Sequence, residues 1–202
     1  MENSCLFARL IFLRKIIPGN CRTIFILDVV YHMTKLQMEK NKIIDLINKA
    51  KDLTPDVLEK DLNPIDGFPD VPNWHDYEHK IWAIGEQIRQ VIYSKESLRK
   101  DKELNDLIIE FCLNKNSKRG RQPFVLLLGY KHLSDYAPKL INLINDEYVD
   151  GHVIDTIYKM QAKGYEKEIR PFATHKITWI RKTATKYLEK YGTQQYIKTM
   201  LS

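Results

Sequence analysis

Apolar positions recur at helical spacing through most of this chain. From Met38 onward Ile43, Leu46, Ile47 and Ala50 stand at i, i+3, i+4 and i+7 with charges opposite, the stripe of an amphipathic helix. Thr54-Pro55-Asp56 reads as the start of a short helix, with Thr as N-cap and Pro where a missing N–H costs nothing; Val57, Leu58 and Leu62 follow. Residues 63–75 then hold Pro64, Gly67, Pro69 and Pro72, which remove donors at close intervals and predict a loop. Beyond it Ile81, Ile84, Gly85, Ile88, Val91 and Ile92 share one face of a helix over 76–93, and Leu104, Leu107, Ile108 and Phe111 make the next stripe. Five more helices are predicted over 121–131, 135–145, 151–163, 166–174 and 178–191, with turns at Gly120, Ser134-Asp135, Gly164 and Gly192. No segment keeps a period of two for long, so the fold class is all-α.

Residues 1–37 differ. They read as apolar patches broken by Arg, Pro-Gly-Asn and a lone Asp, without a sustained period. Met33 and Met38 sit where the pattern changes, so the functional polypeptide is expected to begin at one of them, with the preceding stretch an extension; the rival reading packs Thr23 to Tyr31 on the domain as a short element. The expected organisation is therefore an N-terminal extension (1–37), capping helices (38–62), a Pro-rich loop (63–75) and a helical array (76–202).

Spacing within that array is itself periodic. Leu128 and Met160 lie 160 − 128 = 32 residues apart, Pro138 and Pro171 lie 171 − 138 = 33 apart, and Gly164 and Gly192 lie 192 − 164 = 28 apart. A unit of two helices that cannot hide its apolar face alone buries a continuous core by stacking on its neighbours. Arg121-Gln-Pro-Phe-Val-Leu-Leu-Leu-Gly129 is similar to a first helix ending in Leu-Gly, and the stretch from Asp135 through Pro138 and Leu143 to Asp146 to a second helix with its closing Asn-Asp. Residues 152–164 with Ile169-Arg-Pro171-Phe172 resemble the next unit more loosely, and Trp179-Ile180-Arg181-Lys182 through Ala184 and Leu188 to Gly192 resembles another first helix. Together they resemble HEAT repeats of the short phycocyanobilin-lyase type, over about 102–192, with residues 172–176 short for a full second helix. The resemblance implies an α-α superhelix, a short HEAT-like solenoid of stacked antiparallel helix pairs. That family is defined by packing, and no one activity follows from it.

Composition narrows the picture modestly. A 202-residue chain with 44% hydrophobic and 29% charged residues is globular and too short for two large domains. Its net charge of +6 permits an acidic partner without requiring one. Cys5, Cys21 and Cys112 are odd in number and widely spaced, which suits a reducing compartment and indicates neither a disulfide framework nor a cysteine zinc site. The apolar runs 5–13 and 23–31 fall short of the roughly 20 residues a spanning helix needs, and Arg14 and Lys15 follow the first run where a secretory signal would precede it. A cytoplasmic monomer without membrane attachment is expected.

Candidate chemistry is sparse. His75 and His79 stand at i, i+4 with Glu78 between, a metal-pair spacing on a helix, but no third ligand is fixed by spacing and a polar helix start accounts for the same residues. No nucleotide-binding, acyl-transfer or reactive Cys–His signature occurs, so no cofactor is expected. Two basic clusters are more informative. Lys115, Lys118, Arg119 and Arg121 precede one first helix; Lys176, Arg181 and Lys182 flank the start of another beside Trp179. Equivalent turns of a solenoid stack along one edge, so these clusters would form a positive ridge able to hold phosphates. A solvated edge is the plainer account of them, and Asp146, Glu147 and Asp150 occupy the intervening turn, where a continuous basic groove would need neutrality. The sequence around Trp179 also looks faintly like helix openings of bacterial alkylpurine DNA glycosylases of the HEAT-like class, whose working residues are an Asp with flanking Trp side chains. Here Trp74 and Trp82 bracket Asp76 and Glu78 without that family's spacing.

The expected function is non-catalytic: binding of another protein on a concave second-helix face, as adaptor, scaffold or inhibitory partner, through Tyr136, Lys139, Asn142, Lys167 and Arg170. The alternative is a nucleic-acid binder or glycosylase-like repair enzyme that uses Lys118, Arg119, Arg121, Lys176, Trp179, Arg181 and Lys182.

Overall fold

The computed structural model describes residues 19–57 and 74–192, with side chains from residue 30 onward. The chain divides into two compact units between Lys42 and Ile43. Nine α-helices occur among the described residues, with short 3₁₀ segments and no β-strand; the fold is all-α. No described helix is long and apolar enough to cross a membrane.

In the first unit, the described chain is helical as the opening part of α1 (Gly19–Asp52). The pattern change at Met33 and Met38 does not coincide with a helix start, because α1 passes through both. From residue 30 to residue 42 Val30, Tyr31, Met33 and Met38 are exposed and only Leu36, Glu39 and Lys40 are half-buried. A helical stretch that buries so little has no reason to show an apolar stripe. Residues 1–18 lie outside the described residues.

The second unit begins where α1 acquires a buried face: Ile43, Ile47 and Ala50 are fully buried. Thr54 does not open a further helix over 54–57. Its hydroxyl donates back to the Ala50 carbonyl at 2.9 Å and shares a hydrogen bond with Ser117, so it closes α1 instead of capping a successor. The Leu58 and Leu62 positions and the proline run 63–73 lie outside the described residues.

Helix α2 (Asp76–Tyr93) buries Ile81, Ile84, Ile88 and Ile92, the expected stripe. A short α3 (Glu96–Arg99) leads into α4 (Lys102–Leu113), capped by the Asp101 carboxylate on the Leu104 N–H, which buries Leu104, Ile108 and Phe111 while Leu107 is half-buried. Three of the remaining helices are much shorter than the pattern predicts. The 121–131 segment is α5 (Gln122–Leu127); 135–145 is α6 (Ala137–Leu140) followed by a 3₁₀ turn; 166–174 is α8 (Glu166–Ile169) followed by another. Pro123, Pro138 and Pro171 each sit in the first turn of their element, and tighter i→i+3 bonds, such as Ile144 N–H to Ile141, end the second helices early. Helices α7 (Asp150–Met160) and α9 (Thr178–Tyr191) are regular.

These elements pack in a consistent order. Helix α2 lies against α5, α5 against α7, and α7 against α9; α4 and α6 pack with each other and with α5 and α7 respectively. Leu128 and Met160 are both fully buried, and Pro138 and Pro171 both exposed. The glycines do not correspond. Gly164 has φ +91° in a loop, whereas Gly192 ends α9 with φ −66°.

Candidate functional site

The N-terminal ends of α2, α5, α7 and α9 lie next to one another, and the turns that enter them are built from buried polar contacts. The turn entering α5 shows this most fully. Asn116 donates its side-chain amide to the Pro55 and Asp56 carbonyls, while its own carbonyl accepts the Tyr77 hydroxyl at 3.0 Å. Glu78 in the first turn of α2 is fully buried and accepts the backbone N–H groups of His75 and Arg119, at 3.3 and 3.0 Å. Burial raises its carboxyl above the ordinary range despite those two bonds. Gly120 follows because a side-chain carbon there would stand 2.7 Å from Ile81 Cγ2. Lys118 takes φ +40°, a backbone region that costs a residue with a Cβ of order 1–3 kcal/mol.

Arg121 does not belong to an exposed ridge. It is fully buried: Nε donates to the Lys118 carbonyl at 3.0 Å, one terminal nitrogen to the Cys112 carbonyl at 3.1 Å, and the other to the Asp146 carboxylate at 2.7 Å. A guanidinium has enough donors in a fixed fork to be satisfied this way, which a surface-minded reading of a Lys/Arg-rich turn overlooks. Cys112 is likewise buried as a free thiol, pushed up to about 12 by burial. The neighbouring Arg119 holds its guanidinium 4.9 Å from the Tyr148 ring and 5.9 Å from the Trp74 ring, and Lys118 Nζ lies 5.7 Å over Tyr148.

The turn entering α7 faces the first. Asp146 accepts Arg121 and the Tyr148 N–H, and Gln122 donates to the Tyr148 carbonyl at 2.9 Å. Asp150 is buried, accepts the Gly151 N–H, and has its second oxygen 3.9 Å from His175 Nε2 in the next turn. Burial raises its carboxyl as well. His175 Nδ1 accepts the Ile177 N–H at 3.1 Å, which places its ring proton on Nε2, toward Asp150. Arg181 folds back to donate to the His175 carbonyl at 2.6 Å and to the Thr178 hydroxyl at 3.3 Å.

One aromatic stands out of this edge. Trp179 is 44% exposed, with Ile177 beside it at 42%. The far rim of its indole lies directly on Gly151: a side-chain carbon at that position would overlap Trp179 Cη2 and stand 2.6 Å from Ile180 Cγ1. His152 meets the same ring edge-on at a centroid distance of 5.2 Å, and burial lowers its imidazole to about 4, so it is neutral near neutral pH. Trp179 is thus exposed and seated at once.

The other expected sites divide. His75 is the N-cap of α2 and precedes the helix, 4.0 Å from the buried Glu78, while His79 is exposed; no cluster of three or more His, Cys, Asp or Glu able to hold a metal ion occurs among the described residues. The carboxylates near Trp74 and Trp82 are structural, Glu78 on backbone donors and Asp76 paired with Lys80. On the second helices Lys139, Asn142, Lys167 and Arg170 are exposed, but Tyr136 is half-buried and donates its hydroxyl to Asp106 at 2.7 Å, with burial and that contact pushing the phenol up to about 12. None of the large exposed apolar side chains is on those helices. The inward roles of Asp146 and Asp150 and the seat on Gly151 were missed by the sequence reading; a glycine directly after the acidic helix start was the only signal for them.

No family model, no curated protein and no solved structure matches this chain.

Proposed function

We propose that the protein is a non-catalytic adaptor, built as a short HEAT-like solenoid, which docks another protein through the edge that carries Ile177 and Trp179. The solenoid reading is supported by the serial packing of α2, α5, α7 and α9 and by the side-by-side entry turns, joined by Arg121 to Asp146 and Asp150 to His175. Docking at the edge rests on one observation: Trp179 is 44% exposed yet fixed against Gly151 and His152. A large aromatic already held in one position loses little conformational freedom when it is buried by a partner, the property that makes Trp frequent among the residues that dominate interfaces. The second-helix face, with Lys139, Asn142, Lys167 and Arg170, is polar and serves better as a rim.

The test is comparative. A partner captured by the tagged chain, identified by mass spectrometry and purified, is titrated against wild type, Trp179→Ala and the pair Lys139→Glu with Lys167→Glu. Trp179→Ala is expected to weaken binding by about 2 kcal/mol or more, and the second-helix pair by less than about 0.5 kcal/mol. Full affinity in Trp179→Ala would move the docking surface elsewhere.

A further inference from the structure

The sequence places an acidic turn, residues 146–150, between two basic ones, which would break any continuous positive surface. The structure removes that break. Asp146 is spent on buried Arg121 and on the Tyr148 N–H, Asp150 is buried against Gly151 and His175, and Glu78 at the entry of α2 is buried on two backbone donors. In the 146–150 turn the carboxylate left exposed is Glu147. Meanwhile Lys115, Lys176 and Lys182 are exposed, and Lys118, Arg119 and Arg181 are half-buried with their charges at the same edge. Helix α9 has no acidic residue in its first turn. Lys176 and Lys182 therefore flank Ile177 and Trp179 with no carboxylate in the first turn of α9 between them.

From this inward turning of the carboxylates we infer that the partner at the Ile177–Trp179 edge is a protein segment rich in Asp and Glu that carries an apolar anchor. The inference rests on the docking reading above and names the partner's chemistry. Charge complementarity supplies the acidic character: flanking cations steer a negative segment and suppress neutral or basic competitors. The apolar character comes from Ile177 and Trp179 themselves, large exposed apolar side chains two residues apart at the entry of α9. A single-stranded nucleic acid would need successive free aromatic faces along its path. Here Tyr148 is already covered by Arg119 and Lys118 and Trp74 lies against Arg119, so Trp179 stands alone as a platform on this edge among the described residues.

The inference is tested by fluorescence anisotropy with the full chain and two labelled probes, a random copolymer of glutamate and tyrosine and an oligothymidine strand, at physiological salt. Wild type is expected to bind the copolymer in preference to the oligonucleotide. Lys176→Glu with Lys182→Glu, and separately Trp179→Ala, are each expected to weaken copolymer binding by about tenfold or more, while Lys139→Glu with Lys167→Glu, an equal change in net charge, changes it by less than about twofold. Circular dichroism confirms that each variant is folded. Equal weakening by the two charge-reversal pairs would show attraction to net charge alone and overturn the inference; so would tighter binding of oligothymidine, which would make the edge a nucleic-acid surface, or absence of copolymer binding. If the copolymer is not bound but the captured partner is still lost in Trp179→Ala, the acidic-segment inference falls and the docking reading stands.

Discussion

A guanidinium with no exposed surface must find its partners inside the fold, and Arg121 finds them in two carbonyls and the Asp146 carboxylate. Removing it leaves the nearly buried Asp146 carboxylate with only the Tyr148 N–H and takes a donor from two carbonyls, so Arg121→Ala is expected to destabilise by about 3–5 kcal/mol, read from the urea midpoint. Arg121→Lys should recover little of this, because one ammonium cannot span three acceptors held in a fork. His152 carries a second prediction. Its folded value near 4 lies below the unfolded value near 6.5, so the unfolded chain binds the extra proton first on acidification. Its contribution is whole above about pH 6.5 and is lost as pH falls toward about 4. Between pH 7 and pH 5 wild type is expected to lose about 1–2 kcal/mol relative to His152→Phe, measured by urea unfolding at both pH values. The comparison with a variant is needed because Glu78 and Asp150, with raised carboxyls, act in the opposite sense and gain as they are protonated. Neither role was legible in the sequence: Arg121 sits in a run of Lys and Arg that reads as solvated, and His152 stands near a helix end where an exposed imidazole is ordinary.

At the scale of elements, the entry turn of α5 is held at both polar atoms of the peptide that follows Lys118. The Arg119 N–H is fixed on Glu78 and the Lys118 carbonyl on Arg121, so the plane of that peptide is set, and Lys118 meets it with a positive φ. Lys118→Gly is therefore expected to be neutral or stabilising by up to about 1 kcal/mol in urea unfolding, since relief of strain offsets the added freedom of the unfolded chain, whereas Lys118→Ala keeps the strain and shows no gain. A long buried stripe was legible here and short helices were not. The stripe of α2 was read at its full length because many turns repeat the same face. Helices α6 and α8 keep only four residues each before tightening, and a pattern that spans one turn cannot distinguish an α-helix from a 3₁₀ turn.

Across the whole chain, the buried face of α1 in the second unit is supplied by Ile43, Ile47 and Ala50, all downstream of Met38. A polypeptide beginning at Met38 is expected to melt within about a degree or two of the full chain, followed by circular dichroism at 222 nm. A larger drop would show that residues 1–37 hold part of the core. The all-α class and the stripes on α1, α2 and α4 were determined by the sequence alone, because helical period is a local property that neighbouring residues along the chain express together. Which charges turn inward was decided only by the tertiary structure. Glu78 meets Arg119 41 residues on, Arg121 meets Asp146 25 residues on, and Asp150 meets His175 in the following turn. The seat of Trp179 depends on a missing Cβ at Gly151, in another helix. Such contacts are set by how elements distant in sequence pack, and low-dielectric surroundings then make each paired charge costly to leave unpaired; composition and spacing carry no record of either.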